Sequence, residues 1–180
     1  TLELTKTIDK VVDRFSVLTS GKDKAGEFYR KSFGALFAYV SHRIPEISDE
    51  LYKIDDAMKA GFGWEHGPFQ IWDAVGLEKG LEFIKAEGLE AATWVSEMKE
   101  ARVTSFYAAK HGATYFYNIP KKSMAKIPGQ DAFIILDNIR KSNEVFKNSG
   151  VVIEDLGDGI LNIEFQSKMN TIGGDVLAGL

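Results

Sequence analysis

The sequence contains no cysteine, which excludes disulfide frameworks, thiolate nucleophiles, zinc sites with Cys ligands and cysteine-bound iron–sulfur clusters. A chain without thiols fits a reducing compartment, and a cytoplasmic location is expected. Histidine is almost as scarce. His42, His66 and His111 are the full complement of three, and none belongs to an HExxH pair, so no metal site is expected. No apolar run approaches the ~18 residues that would span a bilayer, and no charged-then-apolar leader precedes a cleavage site. Basic charge is also short, with 22 Lys+Arg against 26 Asp+Glu for a net charge of -4. Nucleic-acid binding, which needs a basic stripe to displace counterions, is therefore not expected. The densest basic features, Lys121-Lys122 with Lys126 and Arg140-Lys141, read as solvated surface.

What is present is a chain of 180 residues, 44% hydrophobic and 12% aromatic. One domain of ~100 to 200 residues, or one domain with an appendage, accounts for that length. Its core needs no metal or disulfide staple, since a domain of ~150 residues removes roughly 70% of its unfolded surface from water. The first residue is Thr1 and not Met, so the left end is expected to be processed or cut.

The first hundred residues read as successive helices. Between Thr5 and Leu18, the residues Ile8, Val11, Val12, Phe15 and Leu18 recur at steps of three and four and share a face. Ser20 is a candidate cap for the helix that follows, with Asp23 near its positive end. That helix, expected over about 22–44, carries a wide stripe that includes Ala25, Phe28, Tyr29, Phe33, Leu36, Phe37 and Val40, and Pro45 stops it. Ser48 is the candidate cap of the next helix, with Leu51, Ile54, Ala57 and Met58 facing inward and Gly61 as its stop. Pro68 suits the first position of a short helix that ends at Gly76. Further helices are expected at about 77–87 and 91–101.

After Arg102 the texture changes. Thr114 to Tyr117 is strand-prone, and the stretch from Ile119 to Gly129 reads as a polar connector. Phe133 to Ile135 is a candidate strand, and Ile139 to Phe146 is helical or irregular. Val151 to Leu156, the turn Gly157-Asp158-Gly159 and Ile160 to Phe165 form a β-hairpin pattern, followed by the start of a helix after Ser167. A hairpin with half a helix cannot bury its own faces.

Few residues are arranged for chemistry. Asp55-Asp56 are adjacent on a helix and point apart, so they are not a proton-sharing dyad; one of them is expected to anchor the following Gly-rich loop. Gly61-Phe62-Gly63 with Gly67-Pro68 follows a helix, so it is neither a Rossmann fingerprint nor a P-loop. No GxSxG elbow is present. His66 reads as a surface or packing residue, and His42 suits a helix C-terminus.

Three strings carry a resemblance. Ser41-His42-Arg43-Ile44-Pro45-Glu46-Ile47, then Ile54-Asp55-x-Ala57-Met58-Lys59-x-Gly61-Phe62-x-Trp64, then Gly67-Pro68-Phe69-x-Ile71-Trp72-Asp73-x-Val75-Gly76 resemble the C-terminal helical domain of 3-hydroxyacyl-CoA dehydrogenases, and within it the second of two repeats. Asp23 to Gly26 and Val103 to Tyr107 extend the likeness over about 20–110. Ser41-His42 stands where an Asn-Arg pairing is usual. Ile153 to Phe165, followed by Ser167-Lys168-Met169-Asn170, is similar to the start of an enoyl-CoA hydratase (crotonase-like) domain.

The resemblance implies a mainly α fold, a helical bundle of the dehydrogenase C-terminal type with a short β-hairpin tail. It divides the chain into a helical module at 1–110, a linker with short strands at 111–150 and the truncated start of a crotonase-like domain at 151–180. It implies a parent enzyme of fatty-acid β-oxidation that oxidises 3-hydroxyacyl-CoA with NAD and also hydrates enoyl-CoA. The family's NAD-binding domain and catalytic residues match no position here, so no catalytic or cofactor-binding residue is carried over and no cofactor is expected in this chain. The carried-over positions are structural: Arg43, Pro45, Asp55, Gly61, Gly67, Pro68, Phe69 and Asp73. Acyl-CoA is the parent's implied substrate. The chain itself is expected to be inactive alone and to support the substrate site and assembly, with a possible homo-oligomer through helical faces. A free-standing helical interaction domain, using the Phe28/Phe33/Phe37 face or the Phe62/Trp64/Phe69/Trp72 cluster, is the alternative.

Overall fold

The computed structural model describes residues 1–180, the Lys141 side chain excepted. The chain is mainly α and divides into two compact units, one made of 1–108 with 115–127 and the other of 109–114 with 128–180.

In the first unit, helices α1 (Leu2–Thr5), α2 (Val11–Ser20), α3 (Lys24–His42), α4 (Leu51–Phe62), α5 (Pro68–Val75), α6 (Leu77–Ala86) and α7 (Thr93–Glu100) follow one another. Helix α3 is the spine, packed along α6 and against α2 and α5. It starts at Asp23 and not at Ser20, because the Asp23 carboxylate accepts from the Gly26 N–H at 3.0 Å. Its close approach to α6 requires Gly34, where a Cβ would lie 2.7 Å from the Phe83 carbonyl oxygen. The stripe is narrower than its sequence suggests: Phe33, Phe37, Ala38 and Val40 are buried, whereas Phe28 is exposed.

Helix α4 departs from expectation at both ends. Its N-cap is Glu50, and Ser48 instead accepts from the Glu50 N–H in a short turn. It runs past Gly61 to Gly63, which takes the left-handed conformation that terminates helices at φ 65°. Ala57 is exposed and not inward-facing.

The core is a chain of rings. Phe37 stacks on Trp72 with centroids 4.8 Å apart, and Trp72 meets Phe106 at 4.9 Å. Phe106 in turn contacts Phe69 at 5.2 Å and Trp94 at 5.9 Å. These offset and edge contacts add to burial energy. The aromatic pattern thus separates into two groups, since Phe33, Phe37, Phe69 and Trp72 are core while Phe28, Phe62 and Trp64 are exposed.

Strands β1 (Tyr107–Lys110), β2 (Ala113–Asn118) and β3 (Ser123–Lys126) form a sheet in that order, with β2 and β3 antiparallel, Phe116 opposite Ala125 and Tyr117 opposite Met124. β3 lies in the stretch whose polar residues suggest only a connector. Tyr52 closes on Phe116 at 4.8 Å, so pairing with β2 and packing of its buried residues supply what the β3 sequence lacks.

In the second unit, α8 (Leu136–Asn143) leads directly into β4 (Glu144–Lys147), followed by β5 (Val151–Gly157), β6 (Ile160–Phe165) and α9 (Gly174–Gly179). The sheet order is β4-β5-β6, and the β5–β6 register places Val151 opposite Phe165 and Ile153 opposite Ile163. The Gly157-Asp158-Gly159 turn has φ of 87°, 54° and 77°, as its composition predicts. Phe133 to Ile135 forms no strand: Phe133 and Ile134 are exposed ahead of α8. Arg140 of α8 reaches the fully buried Glu154 at 3.3 Å and also pairs with Glu164, while the Asn162 amide donates to Glu154 at 2.8 Å. Among the described residues no helix is long and apolar enough to cross a membrane.

Candidate functional site

The motif residues converge on the turn between α4 and α5. Asp55 is fully buried on α4 and accepts three hydrogen bonds, from the Phe69 N–H at 2.9 Å, the Gln70 N–H at 3.0 Å and the Tyr107 hydroxyl at 2.8 Å. The first two donors belong to the opening turn of α5, where backbone N–H groups have no intrahelical partner. Of the adjacent Asp55-Asp56 pair it is therefore Asp55 that holds the loop, while Asp56 pairs with Lys59 at the surface.

Gly67 is the N-cap of α5, and its own N–H donates to Gln70 Oε1 at 3.0 Å. A Cβ there would lie 2.3 Å from the Asp55 Cβ, so the residue must be glycine for the carboxylate to reach under the helix. Pro68 occupies the first helical position and Phe69 is fully buried.

One turn further on, Asp73 accepts from the Phe106 N–H at 2.7 Å and the Tyr107 N–H at 2.9 Å, and its Oδ2 lies 2.8 Å from the Ser105 hydroxyl oxygen. Burial pushes Asp55 and Asp73 each up to about 6, although their hydrogen-bond donors pull the other way. The Tyr107 phenol is driven well above its ordinary range, first by burial and then by the charge of Asp55. All four carboxylate oxygens are occupied by the chain's own donors. These groups therefore position α5 and β1 and present no free base to a substrate.

The remaining motif residues lie elsewhere. Arg43 caps α3, with its guanidinium 5.0 Å over the Tyr39 ring, one nitrogen 2.8 Å from Glu46 and a buried, unpartnered Nε. With Leu36, Val40, Ile54, Met58 and Pro68 it lines an apolar groove of about 510 Å³. Pro45 follows a cis bond and borders a second cavity of about 400 Å³ with His42, Trp94 and Pro120. Gly61 sits inside α4 with open space where a Cβ would be. His66 packs edge-on to Phe15 at 6.1 Å, and His42 Nε2 lies 3.1 Å from the Glu90 carbonyl oxygen. Among the described residues no group of three potential ligands could hold a metal.

Three polar residues that matter here had no legible role. Tyr107 and Ser105 lie 52 and 32 residues from their aspartate partners. Ser41, fully buried, donates to the Ala38 carbonyl at 2.8 Å and accepts from the Ala92 N–H at 3.0 Å. The only local signal for Ser41 is a polar residue on the buried face of α3.

This helical scaffold with its carboxylate-anchored turn has known counterparts. Residues 28–115 match the family described as 3-hydroxyacyl-CoA dehydrogenase, C-terminal domain. Among curated relatives, a Bacillus subtilis (strain 168) protein named as a 3-hydroxyacyl-CoA dehydrogenase is 32% identical over 177 residues, covering 98% of this chain and 22% of that protein. Two Rickettsia proteins bear names of fatty acid oxidation complex trifunctional enzymes. The one from Rickettsia felis is 33% identical over 26% of this chain and 6% of its own length, and the one from Rickettsia prowazekii is 27% identical over 36% of this chain and 9% of its own length. The chain thus spans about a fifth or less of the length of these relatives. No solved structure gives a significant match.

Proposed function

We propose that this chain serves as a supporting module of an enzyme that oxidises 3-hydroxyacyl-CoA to 3-ketoacyl-CoA with NAD in cytoplasmic fatty-acid β-oxidation. The observation that carries the reading is an alignment over 98% of the chain with a relative named for that dehydrogenase. NAD belongs to another part of the parent, and acyl-CoA is the parent's substrate. The module's work is mechanical: Asp55 and Asp73 fix α5 and β1 on the α3 spine, which gives the acyl-CoA site a rigid wall and the assembly a helical face for a second subunit. The helical module runs to residue 110 and the linker to 150. The hairpin from 151 opens a hydratase domain of the parent, a reading supported by its likeness to the start of crotonase-like domains and by the trifunctional names of the Rickettsia relatives.

Incubating the 180-residue chain with NAD and 3-hydroxybutyryl-CoA tests the first part. No NADH should form, and its formation would show that the chain carries catalytic residues of its own. The exposed Phe28 and Phe62 favour a second reading, a free-standing interaction domain. A reading frame that continues upstream into a strand–GxGxxG–helix unit and downstream into a hydratase domain rules that reading out; a frame confined to these residues rules out the first.

A further inference from the structure

The contacts around Ser105 do not balance if Asp73 is ionised. Ser105 Oγ lies 2.8 Å from Asp73 Oδ2 and 2.7 Å from the Tyr107 carbonyl oxygen, yet a serine hydroxyl has one proton to donate. With Asp73 charged, both neighbours are acceptors, and one of the two short contacts sets lone pairs against each other. The other donors are already engaged: the Phe106 N–H donates to Asp73 Oδ1 at 2.7 Å and the Tyr107 N–H to Oδ2 at 2.9 Å. Three protons are thus spread over four contacts. A proton on Asp73 Oδ2 completes the set, because Oδ2–H donates to Ser105 Oγ, Ser105 donates to the Tyr107 carbonyl, and Oδ2 still accepts from the Tyr107 N–H.

We propose that Asp73 and Ser105 form a proton-holding latch: neutral Asp73 ties the start of β1 to α5, and loss of its proton loosens the 105–107 segment. Burial moves Asp73 toward the neutral form, up to about 6 against the pull of its hydrogen-bond donors, so the latch holds its proton below about pH 6. The ionisable neighbours are Asp55 and Asp56 of α4 and Tyr107 of β1, whose phenol feels all three aspartates, while Lys59 of α4 acts on Asp55. Among the described residues, α2, α3 and α6, the other helices against α5, bring no cation to Asp73. The latch is independent of any acyl-CoA chemistry and operates where the chain leaves the helices for the sheet.

Carbon-13 NMR titration of the aspartate carboxyls in the 180-residue chain tests it, with Asp73 assigned through its own backbone so that assignment needs no variant. The Asp73 midpoint is expected at least one pH unit above the ordinary ~3.9. Ser105→Ala removes the acceptor of the Asp73 proton and should lower the midpoint by about one pH unit, a tenfold loss of proton affinity. The sign is diagnostic, because a hydroxyl that merely donated to a charged Asp73 would raise the midpoint when removed. Ser105→Thr keeps the hydroxyl and should leave the midpoint within a few tenths of a unit. Amide exchange at Phe106 and Tyr107, corrected for its intrinsic pH dependence, should accelerate above the midpoint. A wild-type midpoint at or below the ordinary value overturns the proposal, as does a midpoint in Ser105→Ala equal to or above the wild type, or protection of the two amides that ignores the titration.

Discussion

In the helical unit, Asp55 is fully buried and is held by two backbone N–H groups and a tyrosine hydroxyl, with no cation in hydrogen-bonding contact. In the sheet unit, Glu154 is equally buried but faces the Arg140 guanidinium at 3.3 Å and the Asn162 amide at 2.8 Å. Both arrangements satisfy a carboxylate that would otherwise be costly to bury. They differ in what they fix. Backbone donors tie Asp55 to the geometry of one helix N-terminus, so it specifies where α5 begins. A guanidinium on α8 and a carboxylate on β5 bring two elements together through side chains, and the alignment relies on charge. The cores differ in the same way, with stacked rings around Trp72 in the first unit and a thin apolar layer in the second, where Ile160, Leu161 and Leu177 remain exposed.

The strongest test of this contrast removes the central ring of the helical core. Trp72→Ala leaves Phe37 and Phe106 facing a cavity and should cost about 3–5 kcal/mol in denaturant unfolding followed by tryptophan fluorescence. Arg140→Ala addresses the other unit. It leaves Glu154 buried beside a single amide and should cost about 3–5 kcal/mol, while pairing Arg140→Met with Glu154→Leu should recover most of the loss, because an apolar pair of similar volume avoids the desolvation. Recovery by the same logic is not expected at Asp55, since Asp55→Leu leaves the Phe69 and Gln70 N–H groups unpaired. Gly67→Ala should cost about 1–3 kcal/mol through overpacking against Asp55, read as a lowered denaturation midpoint.

The smallest and most selective effect is a pH slope. A folded-state value of about 6 against an ordinary 3.8 means that folded Asp55 holds its proton more tightly than the unfolded chain does. Its contribution is therefore fully present below about pH 4, falls as pH rises to about 6 and is flat above, at up to about 1.4 kcal/mol per pH unit. Urea titrations between pH 4 and 7 should show this slope in the helical unit together with a similar one from Asp73, and Asp55→Asn should remove the Asp55 share of it.

Much of the helical unit was legible because its signals are local. The α3 stripe, Pro68 at the start of α5 and the Gly157-Asp158-Gly159 turn each combine a residue type with a backbone need a few positions away. Where two residues of the same type stand close together, local signals do not separate them. Gly61 and Gly63 look alike in sequence, and only the packing of α4 decides which takes the left-handed cap. Ser20 and Asp23 are both capping residue types, but Ser20 ends α2 with its hydroxyl donating to the Val17 carbonyl at 3.2 Å, which leaves Asp23 to cap α3. The aromatics mislead for a related reason, since periodicity defines a stripe without setting its width, and Phe28 lies outside the part that α6 and α5 cover.

By itself, the sequence determined a mainly α chain with a hairpin tail, the family its residues 28–115 resemble, and the exclusion of thiol chemistry. Apolar period, helix stops and motif spacing are properties of neighbouring residues, and they survive without a fold. Tertiary structure alone decided that Asp55 reaches Phe69, Gln70 and Tyr107, that Asp73 meets Ser105, and that Glu154 meets Arg140. The physical reason is that a buried carboxylate takes its donors from whatever elements the packing brings within 3 Å or so, and apart from the hairpin partner Asn162 those donors sit 14 to 52 residues away in the chain.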